Sequence, residues 1–204
     1  MIRVSRDGGL WSAVIDRPDK ANSLTLEMLQ DLADFAETAT RDGAQALILT
    51  GAGKVFSAGA DLEAARAGLA TSPVWERLSG AIAAFPGLSI AALNGTVAGG
   101  AMGMALACDL RLAVPGAKFF YPVMKLGFLP QPSDPGRLVA LVGPARAKLM
   151  LMGGVKIEAE EALAWGLADR IVAPEALADE ARALAADTLA ATPEHARAIK
   201  ALCR

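Results

Sequence analysis

The chain has 204 residues, 53% of them hydrophobic and only 5% aromatic, so one domain of ordinary size can bury a core made mainly of Ala, Leu, Val and Ile. The formal net charge of -2, without any Lys/Arg run, excludes a nucleic-acid footprint. The two cysteines, Cys108 and Cys203, exclude a disulfide framework or cysteine metal cluster and fit a reducing cytoplasm.

The start MIRVSRDGGLW carries charges where a signal peptide needs an apolar segment. Ile2–Arg6 and Leu10–Asp16 alternate as two strands joined at Asp7-Gly8-Gly9. Pro18–Ser23 reads as a polar loop. LEMLQDLADFAETA has apolar residues at helical spacing, with Ser23 or Thr25 as its cap and Gly43 as its stop. AQALILTG (44–51) reads as a buried strand, GAGKVFSAGADL as a loop, and 62–85 as one or two helices broken near Thr71-Ser72-Pro73. LSIAALNG (88–95) is a second buried strand, 101–107 a helix, and 109–114 a strand. Pro122–Leu126 reads as a helical turn, and LPQPSDPGRL as a proline-rich loop entering a helix. Helices over 143–152, 158–165, 174–191 and from Pro193 onward, with a strand at 168–172, complete an α/β pattern. No charged residue falls between Leu78 and Cys108, but Pro86, Gly87, Asn94 and Gly95 divide that stretch, so a buried core or interface is expected rather than a membrane span.

Two glycine-containing junctions stand out, FSAGADL (56–62) and GGAMG (99–103). Glycine lets backbone approach a ligand closely, and a helix start offers unpaired N–H donors. Two such elbows side by side can aim two amides at one oxygen, which is an oxyanion hole. Tight packing of a strand-to-helix turn explains the same glycines equally simply. TGAGK (50–54) hints at a phosphate loop, yet neither G-x-x-x-x-G-K-[ST] nor G-x-G-x-x-G is present there.

FSAGADL and NGTVAGGAMGMALACDLRLA, with DRPDKANSL, AKFFYPVMKLGFLP and EALAWGLADRIV, resemble the crotonase (enoyl-CoA hydratase/isomerase) superfamily along most of the chain. The resemblance implies an α/β spiral of ββα units over about residues 1–172, followed from about 174 by a helical trimerisation region shorter than usual, within a single domain. It implies a cytoplasmic homotrimer or hexamer that acts on acyl-CoA, with no cofactor beyond the coenzyme A of the substrate and no membrane or nucleic-acid partner. Matched residue by residue, the backbone N–H groups of Ala60 and Gly100 would form the oxyanion hole. Ala58, Asp61 and Leu62 would line the CoA-binding turn, and Lys20 and Ala21 would touch the CoA nucleotide; Lys20 reads equally as a solvated lysine. Relatives often place a basic residue where this chain has Glu63.

Hydratases of that superfamily use two glutamates, whose positions here carry Gly103 and Val123. Neither can hold a proton, so hydration at those positions is not expected, and isomerase- or lyase-type chemistry is. Gln131 and Asp134 fall in a loop where other members place working side chains, Gln131 to position water or bind a polar acyl group and Asp134 as acid/base. Asp134 before Pro135 reads at least as well as a helix cap. Tyr121 and Ser133 are further polar candidates. His195 is expected on a solvated helix face, and Met102, Met104, Met124, Met150 and Met152 in the core or acyl pocket. A non-catalytic acyl-CoA binder is the alternative.

Overall fold

The computed structural model describes residues 1–203. The amino-terminal hairpin forms as expected, β1 (Ile2–Asp7) against β2 (Leu10–Ile15), with Asp7 opposite Leu10 across the turn. Helix α1 (Leu26–Arg41) starts at Thr25, whose hydroxyl accepts the Met28 amide. Its buried face (Met28, Leu29, Leu32, Phe35, Ala36 and Ala39) keeps helical spacing, so one stripe enters the core.

The chain then repeats one unit three times. β3 (Ala46–Gly51) leads to β4 (Val55–Ser57), then α2 (Leu62–Arg66) and α3 (Val74–Ala84). β5 (Leu88–Leu93) leads to β6 (Thr96–Ala98) and α4 (Ala101–Ala107). β7 (Leu110–Ala113) leads to β8 (Lys118–Phe120), α5 (Val123–Leu126) and α6 (Asp134–Leu151). The first strand of each unit joins one sheet and the second joins another. β9 (Ile157–Glu158), α7 (Ala159–Trp165) and β10 (Arg170–Ile171) follow, and α8 (Leu177–Ala190) and α9 (Pro193–Leu202) end the described chain. The larger sheet runs β1-β2-β3-β5-β7-β10 and the smaller β4-β6-β8-β9. This is the ββα spiral the resemblance implied.

The long strands were visible as apolar runs, because β3 and β5 lie in the middle of the larger sheet with covered faces. The smaller sheet is not: 55–57 falls in an expected loop and forms a strand, and strands at 96–98 and 118–120 have no counterpart in the sequence pattern. Three-residue strands are too short to show alternation. The helix expected to start at Gly143 is instead the second half of α6, which kinks there, with Gly143 at φ 79 and Pro144 after it.

Polar side chains lock the crossovers. Asn22, fully buried, donates to the carbonyls of Ala52 (2.9 Å) and Val55 (2.6 Å), while Asn94 accepts from Gly51 N (3.0 Å). Arg111, 3% exposed, donates to the carbonyls of Cys108 (2.7 Å) and Leu167 (3.0 Å), tying β7 to the segment before β10. Such buried donors hold because each finds an acceptor. No helix among the described residues is long and apolar enough to cross a membrane. Met102, Met104 and Met150 are buried, but Met124 and Met152 are 58% and 61% exposed, against expectation.

Candidate functional site

β4 and β6 run parallel, with Val55 opposite Thr96, so the elbows that follow them are neighbours. The first elbow spans Ala58 to Asp61. Gly59 sits at φ 91, and a β-carbon on it would come 2.8 Å from Ala98 O and 3.4 Å from Gly100 N. Only glycine satisfies both the backbone angle and that closeness. The second elbow spans Gly99 and Gly100. Gly99 takes φ 56, whereas Gly100 is helical (φ −59) and is required for space, since an added β-carbon would sit 3.0–3.1 Å from the Trp75 ring.

The hydrogen bonds leave selected amides free. In the first elbow Ala58 N donates to Ala21 O (3.0 Å), Gly59 N to Ser57 Oγ (3.1 Å) and Asp61 N to Leu24 O (2.9 Å), while Ala60 N donates to no protein acceptor. In the second, Gly99 N donates to Phe120 O (3.1 Å), and the amides of Gly100 and Ala101 open the helix unpaired. Ala60 and Gly100 both line a cavity of about 330 Å³, and Ala101 does not. The two residues that carry these unpaired N–H groups thus border the same cavity.

The remaining wall is almost wholly apolar, contributed by α2, Trp75 and the segment from Phe120 to Gln131. Its rim exposes Leu62 (76%), Leu126 (58%) and Leu129 (87%). Among the described residues Arg66 is the one charged side chain on the wall; it lies one helical turn beyond Glu63, the position where relatives often carry a basic residue. Ala58, Ala60, Leu62, Gly100 and Gln131 therefore line one cavity. Lys20, Ala21 and Asp61 do not line this cavity. Ala21 supports the first elbow through its carbonyl, and Lys20 is exposed in the turn before it. Asp61 caps α2 by accepting from Glu63 N (3.0 Å) and Ala64 N (3.3 Å), and pairs with Arg17 at 2.8 Å. The Arg17 hydrogen bond, ahead of the cap bonds, holds its carboxyl below the ordinary range.

Asp134 departs from the local expectation. The residue preceding the first turn of α6 is Ser133, and Asp134 makes no cap. Its side chain, 1% exposed, points into the space that Gly103 leaves open: a β-carbon on Gly103 would lie 2.8 Å from Asp134 Oδ1 and 3.0 Å from Oδ2. A carboxyl group thus packs against the very position where the resemblance places a missing glutamate. Tyr121 Oη donates to Asp134 Oδ2 at 2.9 Å and accepts from Gln131 N at 3.3 Å. Arg137 Nη1 stands 3.7 Å from Oδ1, and neither atom has a hydrogen-bond partner. Burial pushes the Asp134 carboxyl up to about 6; the Tyr121 hydrogen bond and Arg137 oppose that rise, and Glu76 adds to it. Glu76 itself holds the loop, accepting from Ser133 N at 3.2 Å and from the Ser133 hydroxyl. Val123 lines the cavity and brings no titratable group. His195 is exposed on α9, as expected. Among the described residues no group of three His, Cys, Asp or Glu could hold a metal ion.

A spiral of ββα units, with two amide-bearing elbows at the head of its smaller sheet, is the crotonase fold. Comparison with known proteins narrows this further. The enoyl-CoA hydratase/isomerase family model matches residues 6–204, and the chain belongs to that family. It is 36% identical over 211 residues to a carnitinyl-CoA dehydratase of Salmonella arizonae, covering 100% of this chain and 80% of that protein. It is 34% identical over 203 residues to the probable enoyl-CoA hydratase EchA17 of Mycobacterium tuberculosis, covering 97% and 77%. An enoyl-CoA hydratase/isomerase structure from Pseudoalteromonas atlantica superposes with a TM-score of 0.91 at 30% identity, covering 99% of this chain and 82% of that one.

Proposed function

We propose that this member of the family binds an acyl-CoA thioester with its carbonyl oxygen on the amides of Ala60 and Gly100, and moves a proton between carbons of the acyl chain through an enolate. One observation carries the reading. The two elbows leave unpaired amides on residues that border one apolar cavity, and Asp134, the one buried carboxyl among the described residues, has its proton affinity raised into the working range. Asp134, hydrogen-bonded to Tyr121 at the cavity, is the titratable carboxyl of this scheme. Isomerisation is favoured over hydration because hydration needs a second proton-carrying group to activate water, and the cavity side chain at 123 is valine. No cofactor is required beyond the coenzyme A of the substrate. Arg66 at the wall suits the anionic part of that substrate. Assembly as a trimer or hexamer belongs to the same proposal; the exposed Leu126 and Leu129 beside the mouth support it, and sedimentation velocity tests it.

The reading as a non-catalytic acyl-CoA binder has one observation in its favour: Asp134 does not itself line the cavity. A panel of 2-enoyl-, 3-enoyl- and malonyl-type CoA thioesters, followed by mass spectrometry, separates the two. Turnover of a 3-enoyl thioester supports the isomerase. Binding of every member without chemistry leaves the binder.

A further inference from the structure

Tyr121 stands between the cavity and a carboxyl that does not reach it. We infer that the Tyr121 hydroxyl is the group that exchanges a proton with the acyl carbon, and that Asp134 behind it is a positioning residue that holds the phenolic hydrogen meanwhile. The inference rests on the acyl-CoA reading above.

Tyr121 and Gln131 both line the cavity, and Asp134 lies out of it. A phenol has one hydrogen and two lone pairs. The hydrogen goes to Asp134 Oδ2, and one lone pair is filled by Gln131 N, so one remains for a substrate. A carboxylate placed only for structure has its oxygens filled. Here Oδ1 is buried without a donor, and the nearest cation, Arg137, stays beyond hydrogen-bond distance at 3.7 Å. The groups facing this carboxyl are Tyr121 from the β8–α5 junction, Arg137 from its own helix and Glu76 from α3. They leave it largely ionised at neutral pH yet able to take a proton. Burial first, and the charge of Asp134 next, push the Tyr121 hydroxyl well above its ordinary value. A resting phenolate is therefore disfavoured, and the phenol gives up its proton only as another arrives.

The step balances without an external reactant. The C–H bond at the α-carbon of a 3-enoyl thioester breaks, and its electron pair enters an enolate whose oxygen rests on the two elbow amides. The proton joins Tyr121 Oη as the phenolic hydrogen passes to Asp134 Oδ2. Reversal of both transfers delivers a proton to the γ-carbon and yields the conjugated 2-enoyl thioester. Water is neither consumed nor released, which suits a cavity whose other catalytic position is Val123.

The test uses the full chain with 3-hexenoyl-CoA in D2O. Conjugation is followed by ultraviolet absorbance and deuterium uptake by mass spectrometry. Wild type is expected to convert the thioester. Tyr121→Phe is expected to lose about 100-fold or more in kcat, with thioester affinity little changed. Asp134→Asn should lose a similar factor and also lose the acid limb of the pH–rate profile, centred near 6 in wild type; a merely structural change would leave that limb in place. Should Tyr121→Phe fail to fold, Asp134→Asn carries the test by its pH profile. A Tyr121→Phe rate within threefold of an active wild type overturns the relay and leaves the acyl-CoA reading standing. An unshifted acid limb in Asp134→Asn overturns the storage role. A wild type that binds the thioester but neither conjugates it nor incorporates deuterium overturns the relay together with the enzymatic reading, and one that binds no thioester removes the acyl-CoA reading as well.

Discussion

Replacing Gly59 by alanine tests how the two elbows are held against each other. Gly59 occupies φ 91, a region where an L side chain costs about 1–2 kcal/mol. The new β-carbon would also lie 2.8 Å from Ala98 O, a backbone atom that cannot rotate away as a side chain would. Overpacking of this kind costs about 1–3 kcal/mol. The sum, about 2–5 kcal/mol, corresponds to a fall in Tm on the order of 10 °C for a chain of this size. Relief has one direction, with the first elbow sliding away from Gly100, so acyl-CoA affinity should fall as well, by about tenfold or more for one hydrogen bond to a charged or polarised oxygen. Urea and thermal unfolding followed by circular dichroism give the first number, and calorimetric titration with acetyl-CoA in the cold gives the second. Gly116→Ala, in an exposed turn with nothing near the added carbon, is the control and should stay within about 0.5 kcal/mol. A Gly59→Ala protein as stable as the control would refute the reasoning.

Further outcomes follow from the same contacts. Gly80 lies inside α3 with nothing within 4 Å of an added β-carbon, so Gly80→Ala should raise stability by about 0.5–1 kcal/mol in urea titrations; no gain would count against the helical assignment there. Asp134 makes stability depend on pH. Its folded carboxyl sits at about 6 against an ordinary 3.8, so between those values the native state binds more protons than the unfolded chain. Stability from this group is therefore lost as pH rises through that window, by roughly 3 kcal/mol at most, and Asp134→Asn should remove that component. A wild-type-minus-variant stability difference that stays flat from about pH 4 to about pH 7 would contradict the burial of this carboxyl. Lys200 Nζ donates to Asp109 Oδ2 (2.7 Å) and Gly87 O (2.8 Å), pinning α9 to the larger sheet. Lys200→Met should loosen α9 by about 1–2 kcal/mol, read as faster amide exchange confined to 193–202.

The sequence made some parts of this molecule legible and hid others for physical reasons. The long helices and central strands announced themselves because periodicity needs length. The smaller sheet stayed hidden because Val55–Ser57, Thr96–Ala98 and Lys118–Phe120 offer only three residues each. Those strands are nevertheless what brings the elbows together, so the reason for the site's geometry was less legible than the elbows themselves. The local pattern around Asp134 is misleading. An aspartate before a proline carries a cap signature, but the direction of its side chain is set by a vacancy at Gly103 on another helix. Asn22 gave no signal, since a buried asparagine pinning a crossover looks like any loop asparagine. Trp75 shows in the sequence only as part of a helix, though its ring is what forbids a side chain at Gly100.

Backbone amide NMR during titration with an alkyl-CoA thioether and the matching acyl-CoA thioester reports on the oxygen directly. The signals of Ala60 and Gly100 should move downfield together with the thioester and stay nearly still with the thioether, which lacks the carbonyl. Saturable thioester binding that leaves both resonances where the thioether leaves them would show that the two elbows do not share an oxygen.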